Sequence, residues 1–355
     1  MSRLLLHIGH SKTGTSFLQA LLRENRSVLA RHGYDYPPPS WQENEEDNAE
    51  IGQGNGLVAA QTPKAMQALL LDRPRPDRGL ILSSEEFFPQ LATASDPERL
   101  GQLAIEAGYD KVSILLAIRD PVSHAASLWM QYVKRAGGTA PLERFFELYT
   151  VPDLVLRFLD AYDDQLNVSI KLFNYSRHKA HLTDRLADWL GLEAQDLNAP
   201  RAPRINRGLT RAETELQLAL NTEIGRRGRI LSDALCSALP EVTAHAAYPA
   251  KCVQAAMLDR LSPTLGRLNS RLEPDERYQD TLHEPMTLLP QNETNFLSQH
   301  QLRVVGSVLG HEIRNLLKSK VDSARETLYE SLDGTVFTAE NSIKGSTEPE
   351  RGGQP

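Results

Sequence analysis

The segment Leu4-Leu5-Leu6-His7-Ile8-Gly9-His10-Ser11-Lys12-Thr13-Gly14-Thr15-Ser16 constrains this chain more than any other. An unbroken apolar run leads into a loop of glycine, lysine and hydroxyl residues, and a helical pattern follows. Such a run builds a buried strand, a turn of free amides and a helix N-terminus, a combination that cradles phosphate-like anions. Gly9 and Gly14 fill the two glycine positions of the pattern G-x-x-x-x-G-K-[ST], but Thr15 and Ser16 stand where its lysine and hydroxyl residue belong. The lysine lies inside the loop, at Lys12. After the second glycine it would reach the β- and γ-phosphates of a triphosphate, whereas inside the loop it can cover the bridging oxygen of a shorter anhydride.

A second anion-binding segment follows about a hundred residues later. Val112-Ser113-Ile114-Leu115-Leu116-Ala117-Ile118 reads as a buried parallel strand and runs into Arg119-Asp120-Pro121, with Ser127 eight positions beyond the arginine. Asp120 can cap a helix and Pro121 can start one, which puts Ser123 and Ser127 one turn apart on one face. That spacing brings Arg119 and Ser127 to a common anion, and a planar guanidinium suits a terminal phosphate. Taken singly, the first loop also reads as an ordinary strand-to-helix turn, and Arg119 as a partner of Asp120 or a neighbouring carboxylate. Taken together, each segment sits at the carboxyl end of a strand, where open α/β sheets bind ligands.

The displaced pattern Gly9-x-x-Lys12-Thr13-Gly14-Thr15-Ser16 resembles the 5′-phosphosulfate loop of the sulfotransferases that use 3′-phosphoadenosine 5′-phosphosulfate. Strand-Arg119-x-Pro121, with Ser127 eight residues after the arginine, is similar to the same family's 3′-phosphate motif. The resemblance covers about residues 1 to 210. It implies a three-layer P-loop-like α/β core with a central parallel sheet, and transfer of a sulfuryl group to a hydroxyl or amine of a glycan, lipid or small metabolite. Thr13, Gly14, Thr15 and Ser16 would take the 5′-phosphate, Lys12 the leaving oxygen, and Arg119 and Ser127 the 3′-phosphate. The family often closes its nucleotide site with a late basic loop, so Arg204 and Arg207, in Arg201-Ala202-Pro203-Arg204-Ile205-Asn206-Arg207, are read as further 3′-phosphate contacts or as a solvated linker. No metal is required by this scheme. His10-Ser11 before the lysine and Ser16 after Thr15 depart slightly from bacterial relatives that open His-Ile-Gly-x-x-Lys-Thr-Gly-Thr.

Proton abstraction from the acceptor needs a base. Glu85 follows the apolar strand Gly79-Leu80-Ile81-Leu82-Ser83-Ser84, and several carbohydrate sulfotransferases place a base there, so it is the first choice, with Glu86 next. It also reads as a carboxylate favoured by a helix N-terminus. His10 competes from within the loop, because an imidazole titrates near neutrality. Two other readings stay open: a P-loop nucleotide kinase or triphosphatase, which would want an acidic strand end for magnesium, and a non-catalytic binding protein.

The 355 residues suit one large α/β unit with an added helical part, and a net charge of -7 gives no general basic field for nucleic acid. Phe17, Leu18, Leu21, Leu22 and Val28 predict a helix that Gly33 stops, and Asn167 to Phe173 predict a further strand, for about four or five parallel strands. Pro37, Pro38 and Pro39 with acidic residues from Glu43 to Glu50 predict a substrate-facing loop. Thr210 to Ile230 and Ala250 to Leu272 predict helices without strands between them. The expected division is a nucleotide-binding core over 1–210, a helical lobe over 211–332 and a disordered tail over 333–355. No apolar run approaches a membrane span and the chain enters its first strand without a signal-like region, so a cytoplasmic location is expected. Cys236 and Cys252 make no metal-ligand pattern and read as buried thiols.

Overall fold

The computed structural model describes residues 2–38, 54–72, 77–200, 207–285 and 296–344, with side chains to residue 321. Its centre is a five-stranded parallel sheet in the order β2-β3-β1-β4-β5. The strands are β1 (Arg3–His7), β2 (Tyr34–Asp35), β3 (Gly79–Ser83), β4 (Lys111–Ile118) and β5 (Val168–Asn174). Central β1 aligns Leu5 with Ile81 of β3 on one side and with Ser113 of β4 on the other. The chain leaves β1 toward β2 and leaves β4 toward β5, in opposite directions. A crevice therefore opens beyond the carboxyl ends of β1 and β4, the switch point at which such sheets bind ligands.

The apolar runs of β1 and β4 are explained by cover on both faces, since alternate side chains point to opposite sides. Leu5, Leu115 and Ala117 pack with Leu18, Leu21 and Leu22 of α1 (Thr15–Glu24) and with later residues Leu186 and Leu190. Leu4, Leu6, Ile114 and Leu116 enter the other, larger cluster. The first layer comprises α1, α2 (Arg26–Arg31) and, from later in the chain, Leu182–Leu190; α3 (Pro63–Leu71), α4 (Phe87–Ala92), α5 (Glu98–Glu106), α6 (Pro121–Ala136), α7 (Leu142–Leu148) and α8 (Val151–Tyr162) contribute to the second. After β5 come α9 (Tyr175–His178) and α10 (Leu182–Leu190). The second cluster continues without a break into α12 (Arg229–Ala238) and α13 (Lys251–Arg271), through Cys236, Met257, Leu261 and Leu268. The all-helical part, which also includes α11 (Arg211–Ile224) and α14 (Gln299–Lys344), thus shares its apolar interior with one face of the sheet.

Three local expectations need correction. The helix expected through Val28 breaks at Asn25, whose amide donates to the Leu21 and Asn198 carbonyls and accepts from the Asn198 amide, so a cross-chain tie replaces the next helical turn. The helix expected to Ile230 breaks at Gly225, which has φ +57. The stretch from 333, read as an unperiodic tail, continues α14 as far as Lys344; residues 345–355 lie outside the described residues. Cys236 is buried but Cys252 is exposed, and both are free. Among the described residues no helix is long and apolar enough to cross a membrane.

Candidate functional site

The loop between β1 and α1 has its carbonyls and amides sorted to different sides. The His10 carbonyl accepts from Thr13 Oγ1 at 2.6 Å, the Ser11 carbonyl from His124 Nε2 at 2.8 Å, and the Lys12 carbonyl from Arg119 Nη1 at 3.0 Å. The amides of Lys12 to Ser16 make no hydrogen bond among the described residues. With successive carbonyls held and successive amides free at a helix N-terminus, the loop has the geometry from which anion cradles are built. Lys12 itself adopts φ +70, a left-handed conformation uncommon for a residue with a Cβ, and the three carbonyl ties hold it there. Two glycines make the turn possible. A Cβ on Gly9 would lie 2.7 Å from Thr15 Cγ2, and one on Gly14, at φ +85, would lie 2.8 Å from Tyr175 Cε2.

Arg119 stands at the end of β4 and links the loop to α6. Its Nε donates to Ser123 Oγ at 3.1 Å, and its guanidinium lies over the Tyr175 ring, 5.5 Å from the centroid. Nη2 makes no hydrogen bond among the described residues. Ser127, one turn beyond Ser123, is half-buried, and its hydroxyl is likewise without a hydrogen bond. The alternative reading of Arg119, as a partner of Asp120, finds no ion pair among the described residues. Asp120 instead accepts from Arg177 Nη1, Asn174 Nδ2 and the Gln279 amide, which fixes the start of α6 and fills the one carboxylate at this strand end.

Lys12 is exposed within the crevice. Enclosure by the crevice walls lowers its pKa, Lys134 and Arg119 lower it further, and Glu85 opposes them. The last effect locates Glu85. Its Oε2 accepts from Ser11 Oγ at 2.6 Å and its Oε1 from Thr15 Oγ1, so both hydroxyls come from the loop. The Thr15 hydroxyl, expected on a phosphate, is thus donated to Glu85, while Ser16 is exposed at the helix start. Glu86 is exposed and makes no hydrogen bond to these hydroxyls among the described residues.

His10 is buried. Its ring lies 4.4 Å from that of His124 and 5.3 Å from that of Phe88, and its Nε2 has no partner. Burial pushes its pKa down to about 4, so the ring is neutral at neutral pH. Arg207 corrects a sequence expectation. Its guanidinium forms a two-point ion pair with Glu213 at 2.7 Å and also donates to the Leu239, Gly208 and Leu235 carbonyls, so it has no donor left for a phosphate. Arg204 and the acidic run Glu43 to Glu50 lie outside the described residues.

Three contributors carried no signal in the sequence. His124 reaches the loop from α6, Tyr149 reaches His124 from the turn after α7, and Tyr175 lies against Arg119 and beside Gly14 from α9. Each is an isolated residue with no motif around it, and only tertiary packing brings it to the site. Among the described residues no group of three or more His, Cys, Asp or Glu is placed to hold a metal ion.

No family model matches the chain, and no curated protein matches it significantly in sequence. Among solved structures, the chain is similar to the sulfotransferase domain from the curacin biosynthetic pathway, at 14% identity across 74% of this chain and 98% of that domain, with a TM-score of 0.34.

Proposed function

We propose that the protein transfers a sulfuryl group from 3′-phosphoadenosine 5′-phosphosulfate to a hydroxyl or amine of a glycan, lipid or small metabolite. The observation that carries this reading is the Arg119 tie to the Lys12 carbonyl, which joins the anion cradle of the first loop to the cation at the end of β4. A donor with phosphates at both its 5′ and 3′ positions needs two such sites a ribose apart. A nucleoside triphosphate needs one cradle, a lysine after the second glycine and a free acid for magnesium; here the lysine is inside the loop and Asp120 is already held by three donors.

In this reading the amides of Thr13, Gly14, Thr15 and Ser16 hold the 5′-phosphate, and Arg119 Nη2 with Ser127 holds the 3′-phosphate. The donor supplies an electrophilic sulfur and a nucleotide leaving group. Lys12 stabilises the charge that grows on the bridging oxygen as the sulfur–oxygen bond breaks, a role for preorganised cations and amides. Glu85 takes the acceptor proton as attack proceeds; each of its oxygens accepts one hydroxyl and keeps a lone pair for that proton. His10, buried and neutral, packs against Phe88 and His124 and is given no part in the transfer. Calorimetry tests the reading. Adenosine 3′,5′-bisphosphate should bind without magnesium and more tightly than ATP; a magnesium-dependent preference for ATP would overturn it.

A further inference from the structure

His124 lies beneath the loop, contacting neither the crevice nor any group given a part in the transfer, yet both its nitrogens are engaged. Nε2 is 2.8 Å from the Ser11 carbonyl oxygen and Nδ1 is 2.7 Å from the Tyr149 hydroxyl oxygen. A carbonyl only accepts, so Nε2 carries the proton. In a neutral ring Nδ1 then accepts, and the Tyr149 hydroxyl donates to it. The surroundings hold both groups in these states. Burial and the nearby His10, Arg119 and Lys12 keep the imidazole neutral, and burial keeps the Tyr149 phenol protonated. The Ser11 that receives this bond on its carbonyl donates from its own hydroxyl to Glu85 Oε2 at 2.6 Å. An ordered chain therefore runs from Tyr149 through His124 and Ser11 to Glu85, with a defined donor and acceptor at each step.

We infer that His124, oriented by Tyr149, is a positioning residue for the reaction: it holds the Ser11 carbonyl out of the anion cradle and, through Ser11, sets Glu85 against the acceptor. The inference rests on the sulfotransfer reading for its kinetic consequence alone. The bond to Ser11 is the middle of the three carbonyl ties, next to the strained Lys12. Without it the Ser11 carbonyl keeps only the long contact from His10 Nδ1, at 3.4 Å, and its peptide can rotate, which would turn a carbonyl toward the bound anion and swing the hydroxyl off Glu85.

Three variants and one spectrum test this. Imidazole nitrogen NMR of the full chain at neutral pH should show His124 as the neutral tautomer protonated on Nε2. Tyr149→Phe removes one hydroxyl, His124→Leu removes the donor with similar bulk, and His124→Gln can return an N–H toward the Ser11 carbonyl. Cleavage of 3′-phosphoadenosine 5′-phosphosulfate, with water as acceptor, should lose between about 10- and 100-fold in kcat in His124→Leu. Tyr149→Phe should fall in the same direction, and His124→Gln should recover part of the loss. In all three, affinity for adenosine 3′,5′-bisphosphate should change less than kcat. A ring protonated on Nδ1, a Tyr149→Phe enzyme with parental kcat, or a His124→Gln enzyme no better than a folded His124→Leu enzyme would overturn the inference. If His124→Leu does not fold, Tyr149→Phe and the spectrum decide. A parent that neither binds the bisphosphate nor cleaves the donor would instead overturn the sulfotransfer reading, and the ring nitrogens would still decide whether His124 holds Ser11.

Discussion

Arg119 Nη1 donates to the carbonyl oxygen of Lys12 at 3.0 Å, so the cation proposed for one end of the donor also holds the backbone of the cation proposed for the other. In the proposed reading one guanidinium would thereby serve both anion sites. It spends Nε on Ser123 and Nη1 on the loop, and Nη2 is free for a phosphate.

Replacing Arg119 should therefore do two things at once. Arg119→Ala is expected to weaken adenosine 3′,5′-bisphosphate binding by ~2 to 3 kcal/mol, the cost of leaving a partly buried charge-assisted bond unmade. Arg119→Lys should recover little of that, because a single ammonium cannot reach Ser123, the loop carbonyl and a phosphate together. Calorimetry on the three proteins gives the answer. A lysine variant that binds as tightly as the parent would reduce Arg119 to a simple charge.

Lys12→Ala is expected to lower kcat far more than it weakens bisphosphate binding, since the charge that Lys12 meets develops in the transition state. The pH profile carries a second signature. Lys12 acts protonated, and enclosure with Lys134 and Arg119 sets its pKa below the ordinary 10.5. Activity should then decline as pH rises, with a midpoint below that value, and Lys12→Arg should push the decline to higher pH even where its rate is poor. Kinetics at saturating donor across the alkaline range would show whether the limb moves with residue 12.

Two glycines with nearly equal backbones separate conformational cost from crowding. Gly14 has φ +85 and Gly33 has φ +80, but a Cβ at Gly33 meets nothing within 4 Å, whereas one at Gly14 strikes Tyr175 and Leu182. Gly33→Ala should cost about 1 kcal/mol for the left-handed conformation alone. Gly14→Ala should cost about 2 to 4 kcal/mol, since overpacking adds to the same term. Denaturant unfolding of both variants measures the difference, and equal losses would show that the loop yields to the methyl group.

Much of this arrangement was legible before any fold was known. The triple leucine of β1, the apolar run of β4 and the two motifs after them located the sheet centre and the two loops at its carboxyl edge, because buried parallel strands and glycine-dependent turns follow from local composition. Glu85 was legible from its place after an apolar strand. Arg207 was not, since the sequence shows a basic residue in a basic loop and gives no sign that Glu213 lies six residues on in space as well as in sequence. His124 was hidden for the opposite reason. It follows Ser123 in α6 on a neighbouring face of the helix, and only tertiary packing gives it its partners, the Ser11 carbonyl and the Tyr149 hydroxyl.

Acid should destabilise the fold through its buried histidines. Burial sets both His7 and His10 at about 4, against 6.5 when exposed. Between those values the unfolded chain binds protons that the folded chain excludes, so stability is full above about pH 6.5 and falls as pH drops toward 4. Each ring contributes a slope of up to about 1.4 kcal/mol per pH unit in that window. His7→Asn can keep the bond that Nδ1 makes with Ser83 Oγ at 2.7 Å while removing the titration. Its unfolding free energy should vary less steeply between pH 6.5 and 4 than the parent's, and an unchanged slope would exclude His7 from the acid response.

The base is tested by a pair of substitutions with opposite expectations. Glu85 is half-buried, holds two loop hydroxyls and lies close enough to Lys12 to raise its pKa. His10 is packed between Phe88 and His124 with its pKa driven down to about 4. Glu85→Gln preserves the size of the side chain, and its amide oxygen can still accept one hydroxyl, so the fold and donor binding should survive. The rate with an acceptor should drop by ~10²- to 10⁴-fold, the usual worth of a positioned general base. His10→Asn should cost far less in rate, and any loss should appear in stability, because the ring fills space behind the loop. Should His10→Asn prove inactive while Glu85→Gln works normally, proton abstraction belongs to the loop histidine, and the crevice must open at His10 when the acceptor binds.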